Sequence, residues 1–269
     1  MDKYYTTPEI MKQRIKQFLS KGNRFDGRKT NEFRDIEVEL GISKKAEGSC
    51  RVRIGKTEVI VGVKMDVGAP YADNPDKGNL MTTAEMLPLS SPRFEAGPPK
   101  FPAIELGRVV DRGLRESGFI NFEKLCIKEG EKVWTIFVDI YTINDDGNLM
   151  DAAGIGAIIA LKNSFIPEYD EKTGKVNYGK LTNKKIELSE NVPIPITIHK
   201  IGENFIVDPT REEEDLSETR VTIGSSKGVI SSMQKGEANI LTSEEMEKIL
   251  DMNDKIWNDI FKKIEKFLK

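Results

Sequence analysis

A strand–turn–helix segment in the middle of the chain narrows its possible folds more than any other feature. The run KVWTIFVDIYTI (132–143) is long and strongly apolar, which is typical of a buried strand. The turn DDGNLMD (145–151) follows it, and AAGIGAIIALKNSF (152–165) then predicts a helix of small and aliphatic residues. Gly154 and Gly156 disfavour a helix in isolation, so we expect another backbone to approach this helix closely.

Further elements are predicted before this segment. Thr7 and Pro8 suit the start of a helix over 7–21. Apolar residues then alternate in three stretches that predict strands, the last two of which form a hairpin through a Gly55-Lys56 turn. These stretches are 36–40, 50–54 and 59–63.

Loops and a second helix complete the first half. Residues 64–83 and 90–102 are rich in turn-forming residues and predict loops. Residues 103–117 have helical periodicity, with Ile104 among the side chains predicted to face inward.

The second half repeats the order of strands followed by a helix. The last helix is predicted to start near Thr242, which forms a capping box with Glu245. We therefore predict an α+β protein of two similar strand-and-helix halves, with mixed sheets packed with helices. The expected divisions are an N-terminal helix (1–23), a first half (24–165), a connecting hairpin (166–190) and a second half with the C-terminal helix (191–269).

Composition excludes several classes of protein. The 269 residues are 38% hydrophobic and 32% charged, as in a folded globular chain, and the net charge of -3 excludes an overall basic coat. No apolar run has the length of a membrane span or the pattern of a signal peptide, so we expect a cytoplasmic protein. Cys50 and Cys126 are predicted to be buried reduced thiols, and with a single histidine they cannot form a typical zinc site.

Two acidic segments are candidates for chemistry. The DDGNLMD turn precedes a helix N-terminus, which can bind an anion, and Asp145, Asp146 and Asp151 could instead hold a metal ion. A plain structural turn is the more common explanation of such a sequence. The run REEEDLSE (211–218) could add metal-binding carboxylates, although we favour a solvated loop there.

A stripe of Arg108, Arg112 and Arg115 lies at helical spacing and could bind successive phosphates. From spacing alone we slightly favour an ordinary surface helix, because Glu105 could pair with Arg108, and Glu116 with Arg112. His199 has no Cys or Ser partner in its own segment, so we predict a structural role for it. The chain contains neither a nucleotide P-loop nor a dinucleotide-binding fingerprint.

Several ordered segments together resemble the RNase PH family across residues 24–240. They are RFDGRKTNEFRDIEVELG, EGSCRVRIGKTEVIVGV, AIELGRVVDRGLRES and DPTREEED. Within the family, DVGAP, EMLPLSSPRFEAGPP and the arginine helix are most similar to the second, non-catalytic type of ring subunit of archaeal exosomes. The resemblance implies an RNase PH-like fold and a part in phosphorolytic RNA degradation.

The chain departs from the family where active members carry their chemistry. Active members have a D-G-G-(Thr or Ser)-Arg loop for phosphate, but here Asn148, Leu149 and Met150 follow Asp146-Gly147. A catalytic aspartate of the second half falls on Arg220, within one residue of alignment error. We therefore expect no catalytic residues in this chain.

The resemblance implies binding partners in place of an activity. These are a catalytic RNase PH-like subunit in a hetero-hexameric ring, RNA-binding cap subunits, and single-stranded RNA contacted by Arg108, Arg112 and Arg115; no cofactor and no membrane are implied. Three alternatives remain open at this point: an autonomous phosphorolytic 3'-to-5' exoribonuclease, a metal-dependent hydrolytic nuclease, and an architectural protein without RNA contact.

Overall fold

The apolar strands of the first half pair into a six-stranded sheet in the structure, a computed structural model that describes residues 7–269. The strand order is β1-β2-β3-β6-β4, and β5 pairs with β6. Strands β4 and β6 run parallel, and the other neighbours are antiparallel. The strands are β1 (Ile36–Leu40), β2 (Gly48–Ile54), β3 (Thr57–Gly68), β4 (Asn79–Met86), β5 (Cys126–Lys128) and β6 (Lys132–Asn144).

The second half forms its own antiparallel sheet of four strands in the order β10-β9-β11-β12. A separate two-stranded ribbon, β7 (Phe165–Asp170) with β8 (Lys175–Lys185), connects the two halves, and its second strand is largely exposed. The strands of the second sheet are β9 (Ile194–Ile201), β10 (Asn204–Val207), β11 (Thr219–Ser226) and β12 (Val229–Gly236).

In the part of the chain that the structure describes, five α-helices pack around the sheets: α1 (Glu9–Leu19), α2 (Phe101–Glu116), α3 (Leu149–Lys162), α4 (Arg211–Glu214) and α5 (Ser243–Ile264). The capping box predicted at Thr242 and Glu245 is confirmed at the start of α5. Within residues 7–269, no helix combines the length and the apolar character that crossing a membrane requires.

Helix α3 is the centre of the core, because it is buried on all sides between the two sheets. The close contact predicted at its glycines is present, but it is made by side chains of the sheets and not by another backbone, and each glycine faces a different sheet. A Cβ atom added to Gly156 would lie 2.7 Å from Cγ2 of Val61 in the first sheet. One added to Gly154 would lie 2.3 Å from Cγ of Pro195 in the second sheet. The two glycines therefore allow both sheets to approach one helix.

Two local predictions are wrong. Residues 64–83 are not one loop, because β3 continues to Gly68 and Asn79–Met86 forms β4. The strand was hidden by the polar residues on its outer side, whereas its inner side carries Leu80 and Ala84, both buried. Ile104 was predicted to face inward, but it is 49% exposed.

The α3 packing predicts opposite effects of the same substitution at two helical glycines. Alanine is favoured over glycine by about 1 kcal/mol in a helix interior, but overpacking a core costs about 1–3 kcal/mol. We expect Gly154→Ala to lower the free energy of unfolding by about 1–2 kcal/mol, because the new methyl group meets the rigid Pro195 ring.

Gly113 in α2 is the matched control, since an added Cβ would meet only the Ser232 hydroxyl at 3.8 Å. We expect Gly113→Ala to be neutral or to raise the free energy of unfolding by up to about 1 kcal/mol. Urea denaturation of both variants measures the difference. Equal stability of the two would contradict the close packing of α3.

Candidate functional site

The turn after β6 places the α3 N-terminus against the second half of the chain. Gly147 and Asn148 both have left-handed backbone conformations, with φ of +85° and +64°. A Cβ on Gly147 would lie 2.5 Å from the carbonyl oxygen of Pro209, so only glycine fits there. The Thr57 hydroxyl donates to the Gly147 carbonyl at 2.6 Å and fixes the turn on the first sheet.

The α3 N-terminus already holds an anion from the chain itself. The backbone N–H of Asn148 donates to a carboxylate oxygen of Glu214 at 3.0 Å, and that oxygen lies 3.3 Å from Arg211. Free N–H groups at a helix N-terminus attract anions, and a carboxylate satisfies them as phosphate does. The anion site predicted at this turn is thus used internally.

The residues after Asn148 are not suited to binding phosphate. Leu149 is buried in the hydrophobic core, and Met150 is partly buried and packs against the same core. Neither offers a hydroxyl group or a positive charge. Asn148 is buried as well, and its amide donates to Asp208 at 2.9 Å.

The acidic residues of the turn do not form a metal site. Asp145 lies 3.3 Å from Arg211, and Asp146 lies 3.2 Å from Arg34. Asp151 faces the second sheet, where it accepts hydrogen bonds from the backbone N–H and the hydroxyl of Thr197. Among residues 7–269, no three His, Cys, Asp or Glu side chains are grouped to hold a metal ion. The hypothesis of a metal-dependent nuclease requires such a cluster of carboxylates, and the described residues do not form it.

The second acidic segment is also not the solvated loop that we favoured. It contains the short helix α4, capped by Thr210 with a capping box to Glu213. Glu213 is buried and accepts a hydrogen bond from Nε of Arg24 at 2.9 Å. Asp215 accepts two hydrogen bonds from Arg93, at 2.6 and 2.7 Å. These carboxylates are structural partners of arginines, because they lie too deep in the fold to remain unpaired.

The family-like opening RFDGRKTNEFR supplies three of the arginines in this network. Arg28 and Arg34 both bind the carboxylate of Asp208, at 2.8 and 2.7 Å, and Asp208 is fully buried. Arg34 also donates to the carbonyl oxygen of Asp146 at 2.9 Å. We call Arg24, Arg28, Arg34, Asp208 and Glu213 the arginine latch. It joins the opening segment and the DDGN turn to the start of the second half.

The arginines of the latch affect the pKa of the Asp208 carboxylate. Burial alone would raise the pKa of Asp208, but the bonds and charge of Arg34, with the charge of Arg28, outweigh it and lower the pKa. Burial raises the pKa of Asp145 and Asp146 despite their arginine partners. The sequence contained a signal for the latch, since basic residues of 24–34 oppose the acidic run after Asp208, but it did not identify the pairs.

The arginine stripe divides into two free side chains and one bound one. Arg108 and Arg112 are exposed, and neither makes an ion pair or a side-chain hydrogen bond within residues 7–269. Arg115 instead binds both oxygens of Asp111 at 3.0 Å and donates to the carbonyl oxygen of Leu80 at 2.8 Å. Arg115 therefore holds α2 on β4.

Arg220 takes part in an ion pair between the two halves. It lies on β11 and donates to Oε2 of Glu105 in α2 at 2.7 Å. Gln234 on β12 donates to Oε1 of the same carboxylate at 3.0 Å. Both oxygens of Glu105 are thus occupied by the second sheet, and the predicted pair of Glu105 with Arg108 does not form.

The single histidine is buried and is not suited to proton transfer near neutral pH. His199 is buried, and its Nδ1 lies 3.0 Å from the hydroxyl of Ser217. Burial, reinforced by the charge of Arg220, lowers its pKa to about 3. Cys50 is buried as predicted, whereas Cys126 is only partly buried.

The arginine latch predicts a large, pH-dependent effect of removing one charge. Asp208→Asn keeps the shape of the side chain but leaves Arg28 and Arg34 without their shared partner, which costs about 3–5 kcal/mol at a buried site. Because the folded state lowers this pKa, the contribution is full above about pH 4 and declines as the pH falls through the lowered pKa. Urea denaturation between pH 3 and pH 7 measures it.

Asp26→Asn is the matched control, since this carboxylate pairs with Arg28 at 2.7 Å but is about one-third exposed. We expect a loss of no more than about 1 kcal/mol. A pH-independent difference between the Asp208 variant and the unmodified chain would contradict the assigned charge interaction.

Comparisons with known proteins agree with this architecture. Residues 32–167 match domain 1 of the 3' exoribonuclease family RNase PH, and residues 191–253 match domain 2. The exosome complex component Rrp42 of Methanocella arvoryzae is 45% identical over 258 residues, covering 96% of both chains. Its counterpart from Thermococcus kodakarensis is 44% identical over 261 residues, covering 96% of this chain and 95% of that protein.

A solved structure shows the same likeness in three dimensions. A chain of the Archaeoglobus fulgidus exosome with RNA bound to the active site superposes with a TM-score of 0.87 at 39% identity. The match covers 95% of this chain and 98% of that one. With both family domains present in order and the relatives matched over nearly their full length, the chain belongs to the RNase PH family of 3' exoribonucleases.

Proposed function

We propose that this chain is a non-catalytic ring subunit of an archaeal exosome, which degrades RNA by phosphorolysis from the 3' end. Its partners are a catalytic RNase PH-like subunit in a hetero-hexameric ring, RNA-binding cap subunits and single-stranded RNA. The similarity to proteins named exosome complex component Rrp42 supports the assembly. We also propose domain divisions at residues 24–165 and 191–269, supported by the two family matches.

The observation that carries the non-catalytic assignment is the anion at the α3 N-terminus. Phosphorolysis must bring inorganic phosphate beside an RNA phosphodiester, so the site needs positive charge and free donors. Here the carboxylate of Glu214 takes the donor of Asn148, and Leu149 is buried in the core. A phosphate ion at this turn would meet a negative charge and an apolar side chain.

The position that aligns with the catalytic aspartate supports the same assignment. Arg220 carries the opposite charge and is paired with Glu105. It can neither accept a proton near neutral pH nor present a carboxylate to a leaving group. Two separate parts of the site thus lack the groups on which phosphorolysis depends.

RNA binding is then the contribution of Arg108 and Arg112. Both are exposed and unpaired among the described residues, and they lie one helical turn apart on α2. Guanidinium groups bind phosphate oxygens in pairs of hydrogen bonds and carry no information about the base sequence. The subunit would hold RNA for the active site of its neighbour, with weak dependence on sequence and strong dependence on salt.

Phosphate-dependent RNA degradation tests the catalytic assignment. We expect this chain alone to leave RNA intact with or without inorganic phosphate. A mixture with the catalytic subunit should release nucleoside diphosphates much faster than that subunit alone. Phosphate-dependent shortening of RNA by this chain alone would contradict the assignment and support an autonomous exoribonuclease.

Charge removal on α2 tests the RNA-binding assignment. In the assembled ring without phosphate, Arg108→Ala with Arg112→Ala should weaken binding of single-stranded RNA by tenfold or more. The slope of log K against log salt should fall by about 1.4, since each lost phosphate contact on a single strand accounts for about 0.7.

Lys248→Ala with Lys255→Ala is the control, because it removes the same charge from exposed positions on α5. We expect this pair to leave RNA binding and its salt slope close to those of the unmodified ring. Unchanged binding after removal of Arg108 and Arg112 would instead favour a purely architectural subunit.

A further inference from the structure

We infer that Arg220 is a positioning residue for RNA binding: it holds Glu105 on the second sheet and thereby keeps Arg108 free for phosphate. The inference rests on the proposed function. Arg220, which aligns with the catalytic aspartate of active members, would then support RNA binding by positioning Glu105.

Glu105 has two possible arginine partners, one on its own helix and one on the second sheet. Glu105 and Arg108 are three residues apart on α2, a spacing that brings side chains on a helix into contact and favours an ion pair. A guanidinium paired with a carboxylate has part of its charge and several of its donors occupied. An unrestrained Glu105 would therefore compete with RNA phosphate for Arg108.

Glu105 binds the second sheet in the structure and leaves Arg108 available for phosphate. Arg220 binds Oε2 of Glu105 at 2.7 Å and Gln234 binds Oε1 at 3.0 Å, so both oxygens have partners on the second sheet. The ion pair is shielded, with side-chain exposures of 14% for Arg220 and 12% for Glu105. It is thus screened less by salt than an exposed pair of Glu105 with Arg108 would be.

The neighbouring strand β12 leaves space for the Arg220 side chain. Arg220 lies opposite Gly236 in the pairing of β11 with β12. A Cβ atom on Gly236 would lie 2.8 Å from Nε of Arg220, so any larger residue there would disturb the guanidinium. The absence of a side chain at Gly236 therefore leaves the space that the Arg220 side chain occupies.

The test uses the ring assembled with the catalytic subunit, a single-stranded oligoadenylate, and phosphate-free buffer. Arg220→Gln should weaken RNA binding by a factor of about 1.4 to 2.3, as expected for a helix ion pair that competes for one guanidinium. The salt slope should fall toward the value for one fewer phosphate contact, a change of at most about 0.7. Glu105→Gln should bind RNA at least as tightly as the unmodified ring.

Two double variants separate positioning from other roles. Glu105→Gln with Arg220→Gln should restore the affinity lost in Arg220→Gln, because the competing carboxylate is absent. Arg220→Gln added to Arg108→Ala should cause no further loss. Size-exclusion chromatography and thermal unfolding establish that each variant forms the ring; if Arg220→Gln does not, the comparison of the two Glu105→Gln variants with the unmodified ring still decides.

Each outcome points to one conclusion. A double variant of Glu105 and Arg220 that stays weak where Glu105→Gln alone does not would mean that Arg220 contacts RNA itself, and would overturn the inference. Glu105→Gln as weak as Arg220→Gln would mean that the pair only supports the fold, and would overturn it as well. If Arg108→Ala leaves binding unchanged, the proposed RNA-binding function fails; if it weakens binding and Arg220→Gln does not, only this inference fails.

Discussion

The fold depends on one buried carboxylate. Asp208 has no exposed surface, and two other segments of the chain meet at it: the opening, through Arg28 and Arg34, and the turn before α3, through the amide of Asn148. A buried charge is tolerated only where partners replace its water, so each of these segments is held in one position. Arg34 also donates to backbone carbonyl groups of the DDGN turn, and this links the start of α3 to the start of the second half.

This arrangement is consistent with the proposed non-catalytic role, because it holds the family fold through residues other than those of the phosphate loop. The motifs at the opening of the chain and after β10 form the arginine latch. The latch residues stabilise the fold, and this role does not require an active site. The turn at Gly147 stays in place because its backbone touches Pro209 and Thr57. The side chains that would bind phosphate are free to change, and here an apolar core and the carboxylate of Glu214 take their place.

Charge pairing across the two halves organises the proposed RNA-binding surface in the same way. Within α2, Arg115 is bound to Asp111 and to β4, and Glu105 is bound to the second sheet. Arg108 and Arg112 are left as the exposed cations of the helix. A net charge of -3 is therefore compatible with RNA binding, because the local distribution of paired and unpaired groups decides where phosphate is attracted.

Elements with local signals could be predicted from the amino-acid sequence alone. The long strand β6, the small-residue helix α3 with its close contacts, and the capping box of α5 all follow from periodicity, residue size and capping chemistry. Strand β4 escaped prediction because its polar outer face masked a short buried one. The ion-pair partner of each charged residue, in contrast, depends on the tertiary structure. Glu105 binds Arg220, 115 positions away in the chain, instead of Arg108, three residues away. Helix spacing makes a local pair possible, but packing of the two sheets brings a second, better shielded partner to the same carboxylate.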